Sequence, residues 1–331
     1  MAVGLGLLLG GLTAELVVRW SGRAPEVSLI REGRFRLSAN PRIGYEPIPH
    51  YDPAGDDTDF GDFPGPGNGL GFRDVEHPVR KPEGTYRILI LGDSVANGQG
   101  VPRREDIFPF RLRARLEELR LRTEVLSFAV SGYNTQQEVE TLREKGLSFR
   151  PDLLLLAYCL NDVKRSDGGI LPVLRERERT AAGVVSARAH PILVHSALYR
   201  LLRYGLLAEE ERDLPPGIQG DTVAESFELL EELSRDNELE VLVVVFPRFG
   251  RWKEYRWLDH HERVAALSEK HGFGHLDLYE PFRACRESAE SRLALDRYHP
   301  SPLGHECAAE AVADHLFRQQ DALRIPRGPT P

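Results

Sequence analysis

Leu153-Leu154-Leu155-Leu156, within the apolar run from Asp152 to Leu160, constrains the fold of this chain more than any other segment. A half-exposed strand or helix interrupts its apolar residues every second to fourth position. An unbroken run must be covered on both sides. Shorter runs of the same kind lie at Arg87–Leu91, Val125–Val130, Val241–Phe246 and His275–Leu278. Stretches with helical spacing separate them, at Asp106–Arg122, Thr135–Phe149, 221–235, 254–271 and Pro302–Gln320. Pro109 falls early enough in the first of these to be tolerated in an opening turn. The alternation predicts an α/β fold, a parallel sheet with helices on both faces.

The chain has 331 residues, 41% of them hydrophobic and 28% charged, ordinary values for a globular protein with a full core. Its net charge of −8 is spread out, and no Lys/Arg cluster follows a helix face, which argues against nucleic-acid binding through phosphates. Cys159, Cys285 and Cys307 show neither CxxC nor metal-ligand spacing and are expected to be buried small hydrophobes, not a disulfide framework.

Residues 1–22 form a hydrophobic membrane anchor or signal segment in this reading. Ala2–Val18 is apolar but for Thr13 and Glu15, and Arg19, Trp20 and Arg23 follow. An anchor is favoured by that boundary, with Glu15 close enough to the end to snorkel; a packed apolar helix and a cleaved signal are the alternatives. Arginines after the stretch and none before it argue against export, so orientation stays open. Residues 23–85, rich in Pro, Gly and Asp, read as a loop-rich arm. Residues 86–320 form the core domain, and 321–331 a C-terminal tail. Within the core, 163–220 interrupt the alternation with a charged stretch and an apolar, aromatic helix at Ile192–Leu207. That insertion is a lid or substrate wall, or a packed structural element.

Four segments carry chemistry, and three of them end predicted strands, where open α/β sheets bind ligands. Gly92-Asp93-Ser94 puts a serine on a βα turn, although an ordinary capped turn has the same composition. Ser131-Gly132-Tyr133-Asn134 lets the backbone approach a ligand and offer an N–H. Asn161-Asp162 supplies an amide able to donate to an oxyanion, or a plain turn cap. Asp296-Arg297-Tyr298-His299, before the last helix, places an acid and a base three residues apart. A serine needs such a base to become a nucleophile at neutral pH, and the base needs a carboxylate to hold its tautomer.

In order and spacing these segments resemble the four motif blocks of the SGNH hydrolases, the GDSL esterase/lipase family, over residues 86–320. The resemblance implies a three-layer α/β/α sandwich with a five-stranded parallel sheet. It implies Ser94 as nucleophile, His299 as base and Asp296 as the acid orienting it. The oxyanion hole would be the Ser94 and Gly132 N–H groups and the Asn161 side chain. No metal or organic cofactor is implied. Val95 stands where leucine is usual and Cys159 where many members have glycine; neither removes a catalytic group. Asn68-Gly69-Leu70-Gly71-Phe72-Arg73-Asp74 resembles the arm of membrane-anchored bacterial members, with Arg73 in reach of an anionic group at the sheet edge. Anchored members imply an extracytoplasmic catalytic domain and a small-molecule, glycan or lipid ester as substrate.

The expected activity is therefore hydrolysis of short-chain acyl or acetyl esters through an acyl-enzyme. An O-acyltransferase for envelope glycans would use the same site, and a non-catalytic envelope binding protein could keep the fold. His260, His261, His271 and His275 lack ligand spacing and are expected at the surface, and His305 is expected to face solvent. Gly98 and Gly100 lack the rest of a nucleotide-binding motif.

Overall fold

The computed structural model describes residues 2–21, 34–52, 65–160, 171, 174, 196–202, 222–250, 252–288 and 292–328. In chain order these form α1 (Ala2–Ser21), β1 (Phe35–Leu37), β2 (Tyr45–Pro47), β3 (Tyr86–Gly92), α2 (Ser94–Asn97), α3 (Phe108–Glu118), β4 (Thr123–Ser127) and α4 (Thr135–Glu144). There follow β5 (Leu153–Cys159), α5 (Ala197–Arg200), α6 (Val223–Asp236), β6 (Glu240–Phe246), α7 (Leu258–Lys270), β7 (Gly274–Asp277), α8 (Tyr279–Ser288) and α9 (Pro302–Arg318).

Five strands form one parallel sheet in the order β4-β3-β5-β6-β7. Every residue of β3 and β5 is buried. Successive side chains on a strand point to opposite faces, so the leucine run splits between two cores. Leu154 and Leu156 join Leu89, Leu91, Val243 and Val245 with α4 and α6. Leu153 and Leu155 join Ile88, Ile90 and Val244 with α3 and α9. The three-layer, five-stranded expectation is met. Within the core domain α8 was not foreseen; its Phe282 is buried while Arg283 and Ala284 are exposed.

After β3 the chain turns outward to β4 and then returns to β5 on the other side. This reversal of strand order opens a crevice at the carboxyl ends of the central strands. Gly92, Asp93 and Ser94 emerge there.

The arm is more than a loop. β1 and β2 pair antiparallel, and Phe35, Ile43, Tyr45 and Phe72 are buried in the same core as the sheet. Two cations fasten it. Arg87, fully buried on β3, donates through Nε and Nη2 to Glu124 at 2.8 and 2.7 Å. Its other N–H groups reach the carbonyls of Pro78, Val79 and Phe149, which satisfies all five donors. Asp74 accepts from Ser127 N–H at 2.8 Å and from Arg113 at 2.9 Å, and bonds His77, which also meets Glu124. Arg73 does not reach out to an anion, as the motif had suggested. It is buried and donates to the carbonyls of Asn97, Gly98, Val101 and Pro102.

Three other expectations are corrected. Among the described residues no helix is long and apolar enough to cross a membrane. Glu15 of α1, instead of snorkelling, pairs with Arg19 and accepts from Ser196 Oγ and the N–H groups of Ala197 and Leu198. Those bonds hold its carboxyl down at about 2. Cys285 and Cys307 form a disulfide joining α8 to α9, with their Cα atoms 6.3 Å apart, while Cys159 is a buried free thiol. Of the helix expected at Ile192–Leu207 the described residues include the turn α5. The lid reading of 163–220 otherwise lies outside the described residues. The tail docks: Arg122 N–H donates to Pro326 O at 2.8 Å and Gly328 N–H to Arg120 O at 2.7 Å.

Burial opposes ionisation of Asp74, but the bonds from His77 and Ser127 and the charge of Arg113 outweigh it and depress its pKa. Burial likewise disfavours charge on His77, yet Asp74 and Glu124 raise its pKa. The Asp74 contribution is present above the ordinary carboxylate pKa and lost as pH falls through the depressed value. That of His77 is complete below the ordinary imidazole pKa, about 6.5, and lost as pH rises through the raised value. The Tm should therefore decline on the alkaline side of that point. In His77→Gln the Tm should start lower and lack this decline, as thermal melts across a pH series would show.

Candidate active site

Ser94 is the first residue of α2. Asp93 caps it, Oδ1 accepting from Val95 N–H at 2.8 Å, and Gly98 ends it at φ 73°. The turn is tight enough to require Gly92, because a Cβ there would lie 2.7 Å from Ala96 Cβ and 3.1 Å from Ala157 Cβ. The Asx cap and the functional serine are thus parts of one turn.

The segment between α8 and α9 brings the acid and the base. Leu295 N–H donates to His299 O, and Ser301 N–H to Leu293 O, closing 293–301 into a narrow loop. Ser301 caps α9 through Gly304 N–H and ties back to Arg292 O at 2.7 Å. A Cβ on Gly304 would fall 2.1 Å from Leu293 O, so this close packing needs glycine. The disulfide joins the helices on either side of the loop.

Within this frame His299 Nε2 lies 2.9 Å from Ser94 Oγ, and His299 Nδ1 lies 2.6 Å from Asp296 Oδ2. The other Asp296 oxygen accepts from the N–H groups of Tyr298 and His299 at 2.8 and 2.9 Å. Partial burial opposes the Asp296 charge, but the His299 side chain and these two N–H groups prevail and lower its pKa. An ionised Asp296 bound to Nδ1–H leaves Nε2 as the acceptor facing the serine hydroxyl. Ser94 is 7% exposed.

Gly132 sits at φ 81° on the turn after β4, beside the serine turn. Asn97 Nδ2 donates to Ser131 Oγ at 3.0 Å, joining the two turns, and Val130 N–H donates to Gly92 O. Tyr45 of the arm donates to Ser131 O at 2.7 Å. Its hydroxyl would lie 2.8 Å from a Cβ on Gly132. Among the described residues the N–H groups of Ser94 and Gly132 have no partner. Asn161 lies outside the described residues.

The histidine expectations are corrected. His305 is fully buried, with Nδ1 accepting from Phe108 N–H at 3.2 Å. Burial, then the charges of Arg73, His299 and Arg111, push its pKa down to about 3, so it stays neutral at neutral pH. His261 is buried between Asp277 Oδ2 at 2.8 Å and Tyr255 Oη at 2.7 Å. His271 is buried against Glu231. His275 is half-buried. These ring positions gave no sequence signal because a single histidine next to a carboxylate on another element has no motif. Among the described residues, no group of three or more His, Cys, Asp or Glu could hold a metal ion.

Residues 90–307 match the GDSL-like lipase/acylhydrolase family. The chain belongs to that family. It is an SGNH-type ester hydrolase. No curated protein matches the chain. Among solved structures it is similar to TesA, with 13% identity and a TM-score of 0.45 over 72% of this chain and 99% of that one. It is similar to the acetyl xylan esterase AlAXEase at 14% identity and a TM-score of 0.44, covering 70% and 99% of the two chains. A GDSL-like lipase from Parabacteroides merdae is similar at 15% identity and a TM-score of 0.43, covering 72% and 96%.

The disulfide spans a sequence separation of 22 residues that includes the acid and the base. Closing a loop of that length restricts the unfolded chain by about 3 kcal/mol. Reduction, or Cys285→Ser with Cys307→Ser, should lower stability by that order and lower kcat as the 293–301 loop loosens. Denaturant melts and ester assays with and without reductant would show it.

Proposed function

We propose that this hydrolase cleaves short-chain acyl or acetyl esters through a covalent acyl-enzyme formed on Ser94. The continuous hydrogen-bonded chain from Ser94 Oγ through His299 to Asp296 carries this reading. His299 Nε2 takes the Ser94 proton as Oγ attacks the ester carbonyl. Asp296 holds the opposite ring edge and stabilises the imidazolium that forms. The two partnerless N–H groups, of Ser94 and Gly132, receive the oxyanion, with the Asn161 amide as third donor. His299 then returns the proton to the leaving alcohol, and water, activated by the same nitrogen, releases the acid.

A short acyl group is supported by the tightness of this corner, with Ser94 nearly buried and the Tyr45 hydroxyl against Gly132. An extracytoplasmic location is supported by the disulfide, since such bonds persist in oxidising compartments.

Rapid mixing with p-nitrophenyl acetate should give a burst of p-nitrophenol of about one equivalent, absent in Ser94→Ala. Asn161→Ala should lower kcat by about 10²–10³ while leaving the protein folded. A folded wild-type protein that turns over no ester, or near-normal turnover in Asn161→Ala, would refute the corresponding assignment.

A further inference from the structure

Arg248 follows the carboxyl end of β6 and is half-buried. Its guanidinium lies between two aromatic faces, 4.7 Å from the ring centroid of Trp257 and 4.9 Å from that of Tyr298. Tyr298 directly precedes His299. Its backbone is fixed too: Arg248 N–H donates to Tyr255 Oη at 3.1 Å, and Tyr255 is bonded to His261, which is bonded to Asp277. The neighbouring Phe249 N–H donates to Arg297 O at 2.8 Å, so the segment is tied to the loop that holds the acid and the base.

Among the described residues the Arg248 guanidinium has no carboxylate and no hydrogen-bond acceptor. That sets it apart from Arg73 and Arg87, whose hydrogen bonds go to carbonyls and to Glu124. Stacking on aromatic faces holds a guanidinium in place while leaving its in-plane N–H groups able to donate. In sequence, the two segments that meet at Phe249 and Arg297, 248–257 and 292–299, carry six basic residues against Glu254 and Asp296. Asp296 is engaged with His299.

The side of the site follows from the mechanism. The partnerless N–H groups of Ser94 and Gly132 fix where the carbonyl oxygen goes. The leaving alcohol must lie against His299 Nε2 to receive its proton. Arg248 stacks on Tyr298, next in sequence to His299, and so is linked to the loop of the base and not to the turns of the oxyanion donors.

We propose that Arg248 is a specificity-determining residue that recognises an oxyanion, a carboxylate or a phosphate, on the alcohol portion of the substrate. The planar fork matches either group through two parallel N–H bonds. The inference rests on the Ser94 and His299 reading above. It narrows the substrate to esters of negatively charged alcohols.

The test uses the full-length protein and matched acetate esters: 4-acetoxybenzoate, 4-acetoxyphenyl phosphate and the neutral methyl 4-acetoxybenzoate. Each kcat/KM is normalised to the hydroxide-catalysed rate of the same ester. The wild type should prefer at least one anionic ester by about tenfold, and the preference should shrink as sodium chloride is raised. The two anionic esters tell a carboxylate-bearing alcohol from a phosphate-bearing one. In Arg248→Gln the ratio of anionic to neutral kcat/KM should fall towards one, with Arg248→Lys between. Turnover of the neutral ester with no anionic preference overturns the Arg248 assignment alone, as does an Arg248→Gln loss shared equally by all three esters. Turnover of none of them overturns the ester-hydrolase site and this assignment with it.

Discussion

A hydroxyl and an imidazole separated by 205 residues in sequence meet at 2.9 Å, and most of the architecture serves that distance. One side is set by β3, buried on both faces and flanked by β4 and β5. Its last residue must be glycine so that the chain can turn between Ala96 and Ala157. The other side is set by α9, whose first turn is capped by Ser301 and packs through Gly304 onto Leu293. Ser94 is the first residue of a helix and His299 lies three residues before one, where caps and buried side chains fix the backbone.

The arm before β3 is bonded to the turns on which Ser94 and Gly132 sit. Buried arginines are costly unless every donor finds an acceptor. Arg87 meets that requirement with all five donors, gathering Pro78, Val79 and Phe149, and Arg73 gathers the carbonyls of Asn97, Gly98, Val101 and Pro102. Tyr45 extends the arrangement to the Gly132 turn through Ser131 O. The segment read as a loop-rich arm therefore braces both the Ser94 turn and the Gly132 turn.

Much of this was legible in the residues. The leucine run of β5 and the apolar runs around it, separated by helical stretches, announced a doubly covered parallel sheet, since strands buried on both faces read as unbroken apolar runs. Gly92-Asp93-Ser94 and Asp296…His299 were legible because their geometry is local: a capped turn, and an acid and base on one short loop. What escaped depends on contacts between elements far apart in sequence. The arm shows no periodicity, yet Phe35, Ile43 and Tyr45 are buried in the same core as the sheet. His261, His271 and His305 are interior because a carboxylate or an N–H on another element receives each. Cys285 and Cys307 carry no spacing signal, because two helices, not a sequence motif, bring them together. Glu15 resembled a snorkelling residue near the end of a span until its oxygens were seen on the N–H groups of Ala197 and Leu198.

The central claim is that one hydroxyl, Ser94 Oγ, is made nucleophilic by His299. Labelling the full-length protein with a fluorophosphonate, followed by intact-mass analysis and peptide mapping, tests this most directly. The account predicts a single adduct per chain, on Ser94, formed at least about a hundredfold more slowly in His299→Ala, as expected for loss of the general base. A folded protein that takes no adduct, or carries it on another residue, would contradict it.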